Sequence, residues 1–301
     1  MTQISVIIPT YNRANTILGT IDSVLMQEGC TFEIIIVDDC SSDNTKEIIK
    51  EQTNNQVFYY CLNINSGPQV ARNYGAKKAC SDLLVFLDSD DLLLADSLSQ
   101  RINYFRFNPN CESAYSNYKV SFKTKNEDDY IKLVNHNQLS YPDVLKSLSV
   151  VPTSAFMIKK DTFDIINGFD VNLPSCQDDD IIIRCLSRNT CEYIPIYSCL
   201  IIHHPGERIS GFENLSIGKT KLIDKFEGEI LRVLGKATLI RHFINNGIDY
   251  LFLKKIDMVK MMIFKVKKYG RIPYSYILKS IVYRTIIFLL KKIRFFIFRF
   301  R

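Results

Sequence analysis

The first ninety residues alternate two kinds of apolar patterning. Uninterrupted, β-branched runs occur at ISVIIP (4–9), FEIIIVDD (32–39), VFYYCL (57–62) and LLVFLD (83–88). Between them, helical spacing of apolar positions predicts helices over about 15–27, 44–52 and 68–79. Continuous apolar runs joined by helices of this length predict buried parallel strands with right-handed crossovers, and so an α/β sheet. In such sheets ligands collect at the carboxyl ends of the strands, which makes the residues after each run the first candidates for chemistry.

Those exits are unusually polar: PTYNR, DDCSSDNT, NINSGPQVARN and DSDD. Together they point acids, an Arg and hydroxyls toward one edge. The fourth is the most demanding, because Asp88, Asp90 and Asp91 fall within four positions at the end of an apolar strand. At about 5 Å and an effective dielectric near 20, each like-charge pair costs on the order of 3 kcal/mol. Such a cluster needs a compensating charge.

Beyond Asp96 the pattern predicts a helix over about 97–107, strands around SAYSNYKVSF (113–122), a polar insertion to about Gln138, and a strand at 154–160. DTFDIINGFD reads as a short helix capped by Asp161 and closed by Gly168, and SCQDDDIIIRCLS as a loop entering a buried helix. After EYIPIYSCLIIHHPG the chain reads as helical. The expected organisation is a domain over 1–213, divided into halves at 1–110 and 111–213, followed by a helical region over 214–301.

Composition refines this. The chain has 301 residues, 47% hydrophobic and 23% charged, which is ordinary for a globular protein. Its net charge of +6 is unevenly spread: Lys254 to Arg301 holds fourteen Lys and Arg against one acid, Asp257. That local +13 leaves about −7 for the rest, so a uniformly basic nucleic-acid binder is excluded and no nucleic-acid partner is expected. The nine cysteines are scattered, without a C-x-x-C pair, and read as free thiols in a reducing cytoplasm. The opening MTQISVIIPTYNR lacks a basic stretch leading into a long apolar one, so no secretory signal is expected and the chain is placed in the cytoplasm.

Six segments, SVIIPTYNR, IIIVDDCSSDNT, NSGPQVARNYGAKKA, LLVFLDSDD, GFDVNLPSCQDDDIIIR and HHPGERISG, resemble in that order the inverting, nucleotide-sugar-dependent glycosyltransferases of family 2. The resemblance implies the GT-A fold, a Rossmann-like mixed sheet, and transfer from a nucleotide diphosphate sugar, such as a UDP-sugar. It implies that Asp88 and Ser89 of the D-x-D motif face the donor while Asp90 binds Mn²⁺ or Mg²⁺, hard cations suited to carboxylate and phosphate oxygens. Asp91 reads instead as a cap for the following helix. By the same resemblance Asp39, with Asp38 nearby, accepts from the nucleobase, Tyr11 flanks it, Pro9 and Thr10 shape its pocket, and Arg72 contacts the diphosphate or base.

In the second acidic cluster the family pattern is Glu-Asp-x-Asp before an apolar helix ending in Arg. Aligning Asp180 and Arg184 puts Asp178 at the general-base position, with Asp179 the alternative, Gln177 where Glu is usual, and a helix N-terminus rich in acids as the structural reading. His204, before Pro-Gly, takes a metal or phosphate role in the resemblance, a structural histidine being the alternative. The implied setting is surface-polysaccharide assembly in bacteria, on a saccharide or lipid-linked acceptor.

The C-terminal segment mixes Lys and Arg with Ile, Phe, Leu and Tyr in apolar runs far shorter than the roughly 20 residues of a membrane span. Two readings stand: an interfacial helix on an anionic membrane surface at the inner face of the cell membrane, or an appendage packed on the catalytic domain or on a second subunit of a homo-oligomer. VFLDSDD also fits an aspartate-nucleophile phosphatase, although Leu92 stands where Thr or Val is expected and three β-α units precede the motif. A non-catalytic membrane-surface protein would account for the tail and leave both acidic clusters unexplained.

Overall fold

The computed structural model describes residues 2–52, 54–122, 130–203 and 211–270, with 276, 278, 279, 281 and 282. The first half runs β1 (Ile4–Thr10), α1 (Ile17–Leu25), β2 (Phe32–Asp38), α2 (Thr45–Lys50), β3 (Val57–Cys61), α3 (Pro68–Lys78) and β4 (Leu83–Phe86). Then come β5 (Leu92–Leu93), α4 (Ser97–Phe107), β6 (Ser113–Phe122), β7 (Tyr130–Val134), α5 (Tyr141–Ser147), a 3-10 turn at Thr153–Ala155, β8 (Phe156–Lys159), α6 (Lys160–Ile165), α7 (Gln177–Ser187) and β9 (Cys191–His203). α8 (Phe212–Lys225), α9 (Glu227–Leu234), α10 (Lys236–Phe252) and α11 (Ile256–Tyr269) follow among the described residues.

The strands form one mixed sheet ordered β3-β2-β1-β4-β8-β6-β9-β5, with β7 added beside β6. β3, β2, β1 and β4 are mutually parallel, as the apolar runs predict, and every residue of β1 and β2 is buried, but β3 is not the buried strand expected: it lies at the sheet edge with Phe58 and Cys61 exposed. Thr10 pairs with Asp38, and Asp38 with Cys61, so the exits of β1, β2 and β3 lie side by side. β8 runs antiparallel between β4 and β6 and turns the second half of the sheet.

Two further expectations change. The polar stretch after Phe122 is not an insertion up to Gln138, because Tyr130–Val134 pairs with Phe122–Tyr118 as β7, whose Ile131 and Leu133 are exposed. Asp161 lies in the first turn of α6, whose cap position is Lys159. The expected close of that helix is met: Asn167 and Gly168 both have positive φ, and the Gly168 amide donates to the Phe163 carbonyl (2.8 Å). A Cβ on Gly168 would sit 2.6 Å from Asn73 Oδ1, so a side chain there is excluded on two counts.

The loop after Gly168 is fastened from both sides. On α3, Gln69 donates to the Leu173 carbonyl (2.8 Å), and Asn73 exchanges two hydrogen bonds with the Phe169 backbone (2.8 and 2.9 Å). On α8, Lys221 donates to the Asn172 carbonyl and Lys225 pairs with Asp170, both at 2.7 Å. Gly218 lets α8 approach closely, since a Cβ there would lie 2.7 Å from the Ser175 carbonyl oxygen. One continuous apolar cluster runs from β1 through Leu222, Phe243 and Met262 of the C-terminal helices. All nine cysteines are free thiols.

Asp180, fully buried at the start of α7, is the charge that ties these parts together. Arg184 donates to its Oδ2 from Nε (2.9 Å) and Nη2 (2.6 Å), and Lys225 Nζ lies 2.6 Å from its Oδ1. Arg184 also donates to the Ile166 and Gly168 carbonyls (2.6 and 2.7 Å), closing α6. Removing one partner of a buried ion pair strands the other. Arg184→Met is therefore expected to lower the unfolding free energy by about 3–5 kcal/mol in urea titration, whereas Arg188→Met, at an exposed position of the same helix end, should change it by less than about 0.5 kcal/mol.

Candidate functional site

At the β1 exit, Pro9 and Thr10 are buried and Tyr11 is exposed. Thr10 Oγ1 is buried without a hydrogen-bond partner among the described residues. The loop beyond is laced to the β2 exit: the Asn12 amide donates to Ser41 Oγ (2.9 Å), the Ser42 amide to Asn12 Oδ1 (2.8 Å), and the Arg13 amide to Thr45 Oγ1 (2.8 Å). Thr16 Oγ1 donates to the Ser89 carbonyl (2.9 Å), which brings the β4 exit into the same edge.

The two β2 acids are both buried, with different partners. Asp38 accepts from the Ser41 amide (2.8 Å) and from the Tyr59 hydroxyl (2.7 Å), and burial together with this carboxylate pushes the Tyr59 phenol upward. Asp39 accepts from the Ser66 and Gly67 amides, each at 2.7 Å, and so fixes the start of α3. Burial raises the Asp39 carboxyl above its usual range, and the two amides oppose the rise. Each Asp39 oxygen keeps a further lone pair for an outside donor.

Arg72 stands on the inward face of α3, almost wholly buried, with its guanidinium 5.3 Å from the Phe169 ring centroid. Phe169 is itself wedged edge-on to Phe86 of β4 at 4.9 Å. Arg72 Nη2 pairs with Asp88 Oδ1, while its Nε and Nη1 are buried with no acceptor among the described residues. An unpaired buried donor costs about 1–3 kcal/mol. Two on one cation make a concentrated demand for anionic oxygens.

The three acids of DSDD face different ways. Asp88 pairs with Arg72, and Asp90 with Arg13 at 3.6 Å, both carboxylates keeping about a third of their side-chain surface exposed (37% and 30%). Asp91 turns inward and does not cap a helix: the two-residue strand β5 intervenes before α4. Its carboxylate accepts from Ser154 Oγ (2.7 Å) and from the Ile202 amide of β9 (3.2 Å). Burial, and then the Asp88 charge, raise its carboxyl far above the usual range. The fully buried Arg101 donates to the Ser154 carbonyl (3.0 Å), and burial pulls its guanidinium down to about 10.

The second acidic cluster comes to the same place. Thr153 Oγ1 donates to Asp178 Oδ1, and Asp178 feels the charges of both Arg72 and Asp88. Burial pushes its carboxyl up to about 6, with Arg72 drawing it back and Asp88 adding to the rise. Asp179 accepts from the Val150 amide (2.8 Å), and burial followed by the Asp178 charge pushes it up to about 7. Asp178, Arg72 and Asp88, far apart in sequence, thus form one electrostatic group. Gln177 Oε1 is buried and unpartnered among the described residues.

His204 lies outside the described residues; its neighbour His203 ends β9 and stacks on Phe122 with centroids 4.7 Å apart. Among the described residues no three His, Cys, Asp or Glu side chains are arranged to cage a metal ion. The donor set at the rim is two carboxylates, Asp88 and Asp90, which suits a cation that takes most of its oxygens from water and from a bound phosphate. Sequence reasoning missed Arg13, Phe169, Thr153 and Ser154. Arg13 and Phe169 lie within segments that carry the family resemblance, PTYNR and GFD, whereas nothing local in sequence marks the two hydroxyls.

The profile of glycosyl transferase family 2 matches residues 5–165, more than half of the chain. An uncharacterized glycosyltransferase of Rickettsia conorii is 34% identical over 63% of this chain and 31% of its own length. The teichuronic acid biosynthesis glycosyltransferase TuaG of Bacillus subtilis, named as putative in function, is 35% identical over 48% of this chain and 57% of its own. The UDP-Glc:alpha-D-GlcNAc-diphosphoundecaprenol beta-1,3-glucosyltransferase WfgD of Escherichia coli is 32% identical over 49% and 56%. The match thus spans about a third of the Rickettsia protein and little more than half of the other two. Among solved structures, S. aureus TarS 1–349 in complex with UDP-GlcNAc superposes with a TM-score of 0.60 over 81% of this chain and 72% of TarS, at 19% identity, a likeness of fold. The chain belongs to glycosyl transferase family 2 and has the GT-A fold.

Proposed function

We propose that the protein transfers a hexosyl or N-acetylhexosaminyl group from a UDP-sugar to a saccharide or lipid-linked saccharide, with inversion, in the assembly of a bacterial surface polysaccharide at the cytoplasmic face of the membrane. The observation that carries this reading is the convergence of Arg72, Asp88 and Asp178, a cation with unpaired donors beside a rim carboxylate and a second carboxylate raised to about 6. The names of TuaG and WfgD, a polysaccharide pathway and a lipid-linked acceptor, support the setting.

In this reading Tyr11 flanks the nucleobase, Pro9 and Thr10 wall its pocket, and Asp39 accepts from it through the lone pairs its backbone partners leave free. Asp38 holds the turn beneath. Arg72 donates its two unpaired N–H groups to the diphosphate. Asp88 and Asp90, beside Ser89, would hold Mn²⁺ or Mg²⁺, which when bound neutralises the leaving diphosphate. His204 is a further candidate for that site. Asp91 stays inward and shapes the loop. Asp178 takes the proton of the acceptor hydroxyl as its oxygen bonds to the anomeric carbon, and the bond to the donor phosphate breaks on the opposite face with its electron pair leaving on the diphosphate.

Two measurements test the roles. Asp178→Asn should cut transfer by about 10²- to 10⁴-fold while donor affinity, read by calorimetry with UDP-sugars, is unchanged. Asp90→Ala should weaken donor binding only in the presence of Mn²⁺ or Mg²⁺. The reverse pattern would exchange the assignments, and hydrolysis of simple phosphate esters with no response to any nucleotide sugar would replace the transferase by a phosphatase.

The pH dependence follows from the shifts at Asp178 and Asp179, which titrate as an interacting pair. The working form is the carboxylate, so kcat/KM should rise with pH through about 6 to 7 and then level off. For stability the sign is opposite. Both carboxyls hold their protons more tightly folded than unfolded, so their contribution falls as pH rises from about 4, the unfolded value, to about 7. Asp178→Asn should therefore melt higher than the wild type at pH 8 and converge with it at pH 4, measured by calorimetry. A lower melting temperature at pH 8 would refute the burial argument.

A further inference from the structure

The inward side of α11 is fully used. Met262 and Val266 are buried, Gly247 of α10 lets the Met262 Cβ approach to 3.2 Å of where its own Cβ would be, and the Tyr269 hydroxyl donates to Glu227. The outward side is different in kind. Ile256 (52% exposed), Ile263 (49%) and Phe264 (72%) stand in solvent together with Lys260 and Lys267. At 100° per residue these five positions fall in one stripe about 100° wide, roughly opposite Met262 and Val266. Single exposed apolar side chains are normal, but an apolar stripe interleaved with lysines is a surface built to meet something. Beyond the helix, Leu278 and Val282 are exposed as well, beside Lys279.

We propose that this face of α11 docks on an anionic lipid bilayer. On this face Lys267 takes part in no ion pair among the described residues, and Lys260 has only the exposed Asp257 at 3.5 Å. The occupant must therefore be negative and must also receive a Phe and two Ile at shallow depth. The headgroup and acyl boundary of an anionic leaflet meets both requirements. A second copy of the chain does not, because a two-fold contact through this stripe would set its lysines against themselves. No described helix is long and apolar enough to cross a membrane, so the contact is one of surface and not of span. The inference deepens the reading that the acceptor is lipid-linked, and its test is independent of sugar transfer.

The full chain is sedimented with vesicles of phosphatidylcholine alone or mixed with phosphatidylglycerol. Wild type should bind the mixed vesicles, more weakly as salt rises, and not the neutral ones. Ile263→Ser with Phe264→Ser, and separately Lys260→Glu with Lys267→Glu, should each reduce binding by on the order of tenfold, while melting temperature and hydrolysis of a UDP-sugar stay at the wild-type level. Equal binding by both variants, no binding by wild type, or a wild-type dimer that either variant makes monomeric without any vesicle binding would overturn the proposal. A protein that binds these vesicles through α11 but turns over no nucleotide sugar would leave this inference standing and sink the transferase reading.

Discussion

The carboxyl edge of the sheet rests on one constraint, that acids gathered away from bulk water must each meet a cation, a donor or a proton. The structure uses all three. Asp180 takes two cations, Arg184 and Lys225, and so ties α7 to the end of α6 and to α8. Asp39 and Asp91 take amides and a hydroxyl. Asp178 and Asp179 are supplied least generously and hold protons up to about 6 and 7. An acid whose environment leaves it hesitant to ionise near neutrality is suited to moving a proton, and one locked between two cations is not. Adjacent residues of one helix turn thus separate into a framework charge and candidate chemistry through their partners.

The rim follows the same logic with the opposite outcome. Asp88 and Asp90 keep about a third of their side-chain surface, and each faces an arginine drawn from another strand exit. Arg72 is the more constrained of the two, pressed on Phe169 with two donors unpaired, whereas Arg13 is itself 37% exposed and 3.6 Å from its acid. An exposed pair of this kind contributes little to stability.

Much of this was legible in the chain. The β-branched runs specify β1, β2 and β4, because a strand buried on both faces needs an almost continuous apolar sequence, while the edge strand β3 is half exposed; the polar exits of all four mark the edge where the acids gather. What was not legible depends on packing between distant segments. Asp178 meets Arg72 because Gln69 and Asn73 pin the loop 169–173 to α3, and no local pattern encodes that register. Asp91 reads as a helix cap until the two residues of β5 separate it from α4, too short a strand for any periodicity to reveal. β7 reads as polar insertion because an edge strand with Ile131 and Leu133 exposed has no buried face to impose alternation.

The C-terminal helices belong to the same argument. α8 holds the loop 170–173 through Lys221 and Lys225 from the side opposite α3, and Lys225 reaches Asp180 on the helix that carries Asp178. α8 packs on α10, and α10 on α11, so packing is continuous from the acid cluster to the exposed Ile and Phe stripe. What it fixes is orientation: under the proposed docking, a surface held at α11 would set the height and tilt of the carboxyl edge of the sheet, and under the proposed transfer that edge is where an acceptor held in the same leaflet has to meet Asp178.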